Sequence, residues 1–493
     1  MSKRNTNKGI YCGFEVREPS FDPNECVLNS EWTSAKSTYM YTGEGHLITI
    51  GPNGSGKTRS LLVLNLIELT NWSTVVIDPK GELAVWTAKH RKDAGSEIVT
   101  FDPFGVIERR YPGLVQELPY LKSRGMNTIA MLNPESDDFS DDANLIGEAL
   151  IHVDRHESHW GESARALVSG LVMALRMTNK NDGASNSLAE LRQILGMAPD
   201  AIGNYLEGVI KTTQSEPAIA AKLNRFTEIR PENRELFSIL STAVTQTNWM
   251  DSKPLQRELS GDAFDFAEMK RRPVTVYLIL PPRYLETHSN WLRLMITAVL
   301  TPLIRSPDQR VPVLLMLDEF AALGRLEVIE RNMPLMRGYG IKLWIILQDL
   351  VQLKEVYKVR WESFIANAGI IQSFAPNDIS TRDYLAILSG KRLYWVWSNS
   401  NSNSNTSNAD WSTSKSESNQ KTRTYYRDNV YTAHELAQMK QGQSVLYEYR
   451  LPPRRILLPD PSQLNSGNML AQAEAFASSC AKKECAQSKS LSS

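Results

Sequence analysis

Eight consecutive residues, Gly51-Pro52-Asn53-Gly54-Ser55-Gly56-Lys57-Thr58, carry the clearest chemistry in the sequence. They satisfy GxxxxGK[ST], in which glycines let successive backbone N–H groups face a polyphosphate. Lys57 would neutralise the outer phosphate oxygens and the Thr58 hydroxyl would ligate Mg²⁺, which together imply ATP with Mg²⁺ as cofactors. The context agrees: HLITI (His46 to Ile50) reads as a strand before the loop, and SLLVLNLIEL (Ser60 to Leu69) reads as a helix after it. The phosphates would therefore sit at a positive helix N-terminus.

One hydroxyl cannot balance a divalent cation, so a second acidic element is needed. The apolar run Val313 to Leu317 ends at Asp318 and Glu319. Asp318 is suited to hold the metal, usually through water, and Glu319 to activate the attacking water as general base. Gln348 ends the run IKLWIIL in the same way. It reads either as a contact to the γ-phosphate or the attacking water, or as a plain strand-terminating Gln. Arg337, in MRGYG, reads either as an arginine finger toward a neighbouring subunit's nucleotide or as a surface Arg before a turn.

Such side chains need a sheet to hold them. Near-continuous β-branched runs recur in two stretches: HLITIG, STVVIDP and EIVTFDP in the first, VTVYLIL, VPVLLMLDEF and IKLWIIL in the second. Runs of this kind separated by helix-length segments predict an α/β fold with a mainly parallel sheet covered on both faces. Between them, from Asp141 to Met269, apolar residues recur at helical spacing without a strand-like run, which predicts an inserted all-helical domain. The expected division is an N-terminal segment 1–28, a first sheet part 29–140, the insertion 141–269, a second sheet part 270–463 and a C-terminal tail 464–493, helical or mobile. Ser398 to Lys421 is nearly all small and polar. It reads as a disordered linker or long surface loop, or, with the preceding Tyr394-Trp395-Val396-Trp397, as a polar two-strand ribbon. Those aromatics are read as buried strand residues, with base stacking as the alternative.

The chain has 493 residues and 55 Lys+Arg against 55 Asp+Glu. A net charge of zero excludes a general electrostatic sponge for nucleic acid and leaves room only for a local basic channel. Leu294 to Ile304 and Val311 to Leu317 fall well short of the roughly 20 apolar residues of a membrane span, and no apolar stretch follows the basic start, so the expected location is the cytoplasm. Cys12, Cys26, Cys480 and Cys485 lack CxxC spacing and are read as free thiols. His152, His156 and His159 stand at i, i+4 and i+7. On one helix they would share a face and bind a metal; otherwise they are solvated or structural.

LITIGPNGSGKT, VVIDPKGELAVWTAKHRKDAG with IVTFDPFG, and LDEFAALGRLEVIERNMPLMRGYGIKLWIILQDLVQLKEVY resemble the TraG-like coupling ATPases of type IV secretion and conjugation. NDISTRDYLAILSGKR, the Ser-rich interruption and YTAHELAQMKQGQSVLYEYR are similar to that family too, so the match runs in order from about Asn29 to Pro461. The resemblance implies a RecA-like P-loop NTPase core with an inserted all-helical domain, assembled as a homo-oligomer, a hexameric ring at the inner membrane. It implies coupling of ATP hydrolysis to handing DNA, as a relaxase-bound strand, or an effector protein to the channel subunits. By position Lys57, Thr58, Asp318, Glu319 and Gln348 match the family's nucleotide motifs, and Asp78, Lys80 and Glu82 match its DPKGE segment, as functional or structural residues; Arg337 matches the finger position. Family members typically begin with transmembrane helices, whereas the 28 residues before Asn29 contain no span. Two expectations follow: recruitment by a separate membrane-anchored partner, or a soluble branch with a different task. Three functions stay open: a DNA pump, a protein-substrate receptor that gates effector delivery, and a cytosolic DNA motor of a mobile element.

Overall fold

The computed structural model describes residues 9–16, 37–153, 158–178, 186–227, 234–407, 413–458, 470–480 and 482. The strands are β1 (Ile10–Glu15), β2 (Ser37–Tyr41), β3 (His46–Ile50), β4 (Ser73–Ile77), β5 (Glu97–Phe101), β6 (Val274–Leu278), β7 (Val313–Leu317), β8 (Ile341–Leu347), β9 (Ala368–Ser373), β10 (Lys391–Ser407), β11 (Thr413–Asn429), β12 (Gln443–Glu448) and β13 (Arg454–Leu457). β9-β3-β8-β7-β4-β6-β5 form a parallel block, and β12, β13, β1 and β2 extend it antiparallel beyond β9.

The apolar runs become parallel strands because both faces are covered. Along β7, Val313, Leu315 and Leu317 enter one core, and Leu314 and Met316 enter the other. This is the two-residue period of a strand buried on both sides. One core includes Leu61 to Leu64, Leu66 and Ile67 from the helix after the Gly-rich loop, and Leu83, Ala84, Val85 and Ala88 from the helix Glu82–Asp93. The other takes Trp291, Leu292 and Leu294 to Ile296 of the helix Ser289–Arg305, together with the helices between β5 and β6.

Between β5 and β6 the described residues form helices and no strand. The helix Phe139–Leu150 straddles residue 141, so this helical stretch does not start at Asp141. Its link back to the sheet is tight. Gly261 lies so close to Gly125 that a Cβ on it would come within 2.3 Å of the Gly125 carbonyl carbon. The Met126 N–H donates to the Glu258 carbonyl at 2.6 Å. The Glu258 carboxylate, 4% exposed, accepts from the Ser123 hydroxyl at 2.8 Å.

Burial pushes the Glu258 carboxyl up to about 8, against the Ser123 hydrogen bond and aided by Asp102. The native state therefore holds a proton that the unfolded chain releases. The stability this gives is complete below the ordinary carboxylate value and is lost as pH rises to about 8. Glu258→Gln is expected to stabilise the fold at pH 8 by on the order of 2 kcal/mol and to change little near pH 4.5. Urea unfolding at both pH values checks this; an equal shift at the two would refute it.

Two expectations change, the first and third below, and two open readings are decided, the second and fourth. First, β1 lies within the 1–28 segment yet belongs to the main sheet, where Phe14 pairs with Leu457 and Ile10 with Tyr41. Second, on either side of residues 408–412, which lie outside the described residues, the stretch Ser398 to Lys421 takes the ribbon reading and not the loop. β10 and β11 form an antiparallel ribbon from Lys391↔Asn429 to Ser407↔Thr413, which satisfies the backbone without an apolar face. Third, the YWVW aromatics are not core: Tyr394 and Trp395 are half-buried and Trp397 is exposed, because a two-stranded ribbon standing off the body has no layer to cover them. Fourth, His152 precedes the helix Ser158–Thr178 that carries His159, so they do not share a helical face; His156 lies outside the described residues. His159 instead meets Glu235, and among the described residues no cluster of three or more His, Cys, Asp or Glu side chains is placed to hold a metal ion by itself.

Cys12 and Cys480 are buried free thiols; Cys26 and Cys485 lie outside the described residues. In the tail, residues 470–480 are helical, with Leu470, Ala477 and Cys480 packed into the second core and Glu474 ion-paired with Arg59. Among the described residues no helix is long and apolar enough to cross a membrane.

Candidate nucleotide-binding site

The Gly-rich loop leaves the C-terminal end of β3, where the Gly51 N–H donates to Leu347 at 3.0 Å. Gly54 and Gly56 take φ of +81° and +87°, a left-handed backbone that suits glycine and turns the loop in on itself. Lys57, 6% exposed, is folded over the loop and donates to the Gly51 and Pro52 carbonyls at 3.0 and 3.4 Å. The following helix opens with a π-type turn, Thr58–Leu62, and continues as Val63–Glu68; such turns are frequent at functional sites. The Ser55 hydroxyl is buried without a hydrogen-bond partner among the described residues.

Opposite stand the acids. β4 and β7 are neighbours in a register that aligns Ile77 with Leu317, so Asp78 and Asp318 leave adjacent strand ends together. Partial burial and then the Glu319 charge push Asp318 up to about 6, while Lys57 and Lys80 pull it down. Burial pushes Asp78 up to about 7, with the Ala84 N–H opposing at 2.9 Å and Asp318 adding to the rise. Two desolvated carboxyls that repel one another gain from a cation between or beside them.

Glu319 is one of three non-glycine residues at positive φ among the described residues, at φ 53° and ψ 39°. That backbone costs about 1–2 kcal/mol and marks a residue whose aim matters. Its aim is set from the next strand: the Gln348 amide donates to the two Glu319 oxygens at 3.2 and 3.0 Å. The structure thus brings Lys57, Asp318, Glu319 and Gln348 to one sheet edge. The orphaned Ser55 hydroxyl, the loop's N–H groups and the raised carboxyls form a donor set that fits a nucleotide polyphosphate with Mg²⁺.

Arg337 is not there. It begins the turn Arg337–Tyr339 before β8 and stands 3.7 Å from Glu44, which precedes β3. It therefore lies at the N-terminal edge of strands whose C-terminal edge carries the loop, about 17 Å away for a five-residue strand. Lys80 is exposed and Glu82 pairs with Arg110. Sequence reasoning left Asp78 undecided, although its signal was the same as that of Asp318: an acid ending an apolar strand. The left-handed turn at Glu319 had no signal, since no glycine stands there.

A Gly-rich loop between strand and helix, faced by carboxylates on neighbouring parallel strands, defines a RecA-like P-loop nucleotide-binding fold. The chain belongs to the family described as Type IV secretory system Conjugative DNA transfer, which it matches over residues 6–457. It is similar to the conjugal transfer protein TraG of Escherichia coli, 27% identical over 386 residues, covering 73% of this chain and 58% of that protein. The coupling protein VirD4 of Bartonella henselae is 25% identical over 378 residues, covering 74% and 57%. The chain thus spans less than two thirds of the length of these curated relatives. Among solved structures, the conjugative coupling protein TrwBΔN70 in complex with sulphate superposes with a TM-score of 0.63 at 14% identity, covering 92% and 95% of the two chains. TrwB in complex with ADP and Mg²⁺ gives 0.61 at 14% identity, with the same coverage. At this identity the likeness is one of fold.

Proposed function

We propose that this protein is a Mg²⁺-dependent ATPase that pumps DNA, as a relaxase-bound single strand, into a type IV secretion or conjugation channel. The observation that carries the reading is the convergence of Lys57, Asp318, Glu319 and Gln348 at the C-terminal edge of a family-typical sheet. Lys57 and the loop N–H groups bind and orient the polyphosphate; Thr58 and Asp318 would hold Mg²⁺, with Asp78 adding charge beside them. The metal, when bound, supplies charge neutralisation for phosphoryl transfer. Glu319, aimed by Gln348, takes the proton of the attacking water. TrwB, of the same fold, is known with ADP and Mg²⁺, which supports the choice of cofactors. The helices of 141–269 form, in this reading, the inserted domain that meets the substrate.

The test is ATP turnover by the purified protein with and without single-stranded and duplex DNA. Stimulation by DNA supports the pump. Basal turnover indifferent to both forms overturns it in favour of protein-substrate coupling.

Arg337, a strand's length from its own loop and mostly exposed, is proposed to reach the nucleotide of the next subunit in a hexameric ring. Arg337→Ala and Lys57→Ala are each expected to be inactive alone. Mixed, they are expected to regain up to about a quarter of wild-type turnover, because random assembly joins an intact loop to an intact Arg337 at that fraction of interfaces. No regain would remove the trans role.

A further inference from the structure

The β10–β11 ribbon carries its aromatics on show. Alternation places Trp395, Trp397 and their cross-strand partners Tyr425 and Arg423 on one face. Trp397 is 46% and Tyr425 59% exposed. Arg423 lies over Trp395 at 3.8 Å and over Trp397 at 5.4 Å from the ring centroids. Arg427 and Lys421 continue the same face on either side of this cluster. Exposed aromatic area of this kind, outside any core, marks a contact surface, and its interleaving with cations selects the contact. A strand repeats a face about every 6.8 Å, twice the 3.4 Å rise of stacked bases. Exposed flat rings beside a guanidinium group suit unpaired bases and their phosphates, which use both stacking and charge.

The ribbon is also joined to the nucleotide site. Its root closes on the helix Ile379–Leu388, where the Val430 N–H donates to Gly390 at 2.9 Å and the Tyr431 N–H to the Ser389 hydroxyl at 3.1 Å. That helix in turn accepts, through the buried Thr381 hydroxyl, the Leu350 N–H at 2.9 Å, just past Gln348. We infer that the Trp395–Trp397–Arg423–Tyr425 face of the ribbon is a binding surface for single-stranded nucleic acid, with bases stacked on the indoles and phosphates held by Arg423, Arg427 and Lys421. The inference rests on the DNA-pump reading and assigns it a contact site outside the P-loop and the helical insertion.

Binding of fluorescein-labelled oligothymidylate to the full chain tests it by anisotropy across a salt series, beside ATP turnover. Trp395→Ala with Trp397→Ala is expected to weaken binding about tenfold or more, with basal turnover unchanged. Arg423→Gln is expected to weaken it less and to lower the salt slope by about 0.7. Variants that bind as wild type, with the same slope, overturn the ribbon site and leave the pump reading standing. A wild type that binds no oligonucleotide overturns both. Unchanged DNA binding with altered oligomeric state would reassign the ribbon to contact between copies of this chain, and equal loss of a duplex competitor's binding would refute the preference for single strands.

Discussion

Lys57→Ala should leave a folded protein that does not turn over ATP. The ammonium donates to the Gly51 and Pro52 carbonyls and is also the largest opposing charge that draws down the Asp318 carboxyl. Removing it deletes the phosphate's principal counter-charge and lets Asp318 rise further toward the protonated form, so charge is lost on both sides of the site. Loss of one preorganised charged donor at a developing charge lowers turnover on the order of 10³-fold. Loss of a charged partner of the polyphosphate also weakens nucleotide binding by 2–5 kcal/mol, about 30-fold or more. Because the loop is held by its own backbone and by the helix behind it, the melting temperature should move by only a few degrees. A phosphate-release assay with nucleotide titration measures both numbers, and turnover near wild type would break the assignment of the loop.

Glu319→Gln separates chemistry from binding. A Gln amide oxygen still accepts from the Gln348 amide, which now holds Glu319 at 3.0 and 3.2 Å, and the left-handed backbone at φ 53° is no worse for Gln than for Glu. The side chain keeps its place and loses its basicity. Turnover should fall by about 10²- to 10⁴-fold, while ATP affinity stays within a few-fold of wild type, so nucleotide accumulates on the protein unhydrolysed. Retained nucleotide on a desalting column after incubation with ATP reads this directly. Equal loss of binding and turnover would make Glu319 a structural residue. The strain at Glu319 is held by packing beside it: Phe320, fully buried against Tyr357 and Phe364, fixes the turn that presents the acid.

Much of this site is local in origin and so was legible in the chain. Gly51 to Thr58 follows a strand-like run and opens a helix, and both elements need only nearest neighbours and a two-sided core to form. Val313 to Leu317 reads as a buried strand because every residue is apolar, and that places Asp318 at its end without any knowledge of its neighbours. The mainly parallel sheet and the helical stretch between β5 and β6 follow from the same periodicities. The resemblance to the coupling ATPases rested on these same runs.

Strand order was the tertiary decision. Ile10–Glu15, with Gly13 inside it, lacks the continuous β-branched run that announced the other strands, and it becomes a strand because β13 and β2 offer it edges on both sides. Asp78 becomes part of the charged centre only because β4 pairs with β7, more than 200 residues later in the chain, and the Gln348 to Glu319 hydrogen bonds exist only because β8 lies next to β7. The Ser/Asn-rich stretch carries no apolar face by which composition could distinguish a loop from a strand; its partner across the ribbon decided, by satisfying its backbone. Arg337 shows the same division most sharply. Its sequence admitted a finger or a surface cation, and the direction of β8 puts it at the edge opposite its own phosphate loop. Short-range pattern sets what each segment can be, whereas the hydrogen bonds and desolvation that give a side chain its task come from segments distant in sequence, and those only the assembled sheet supplies.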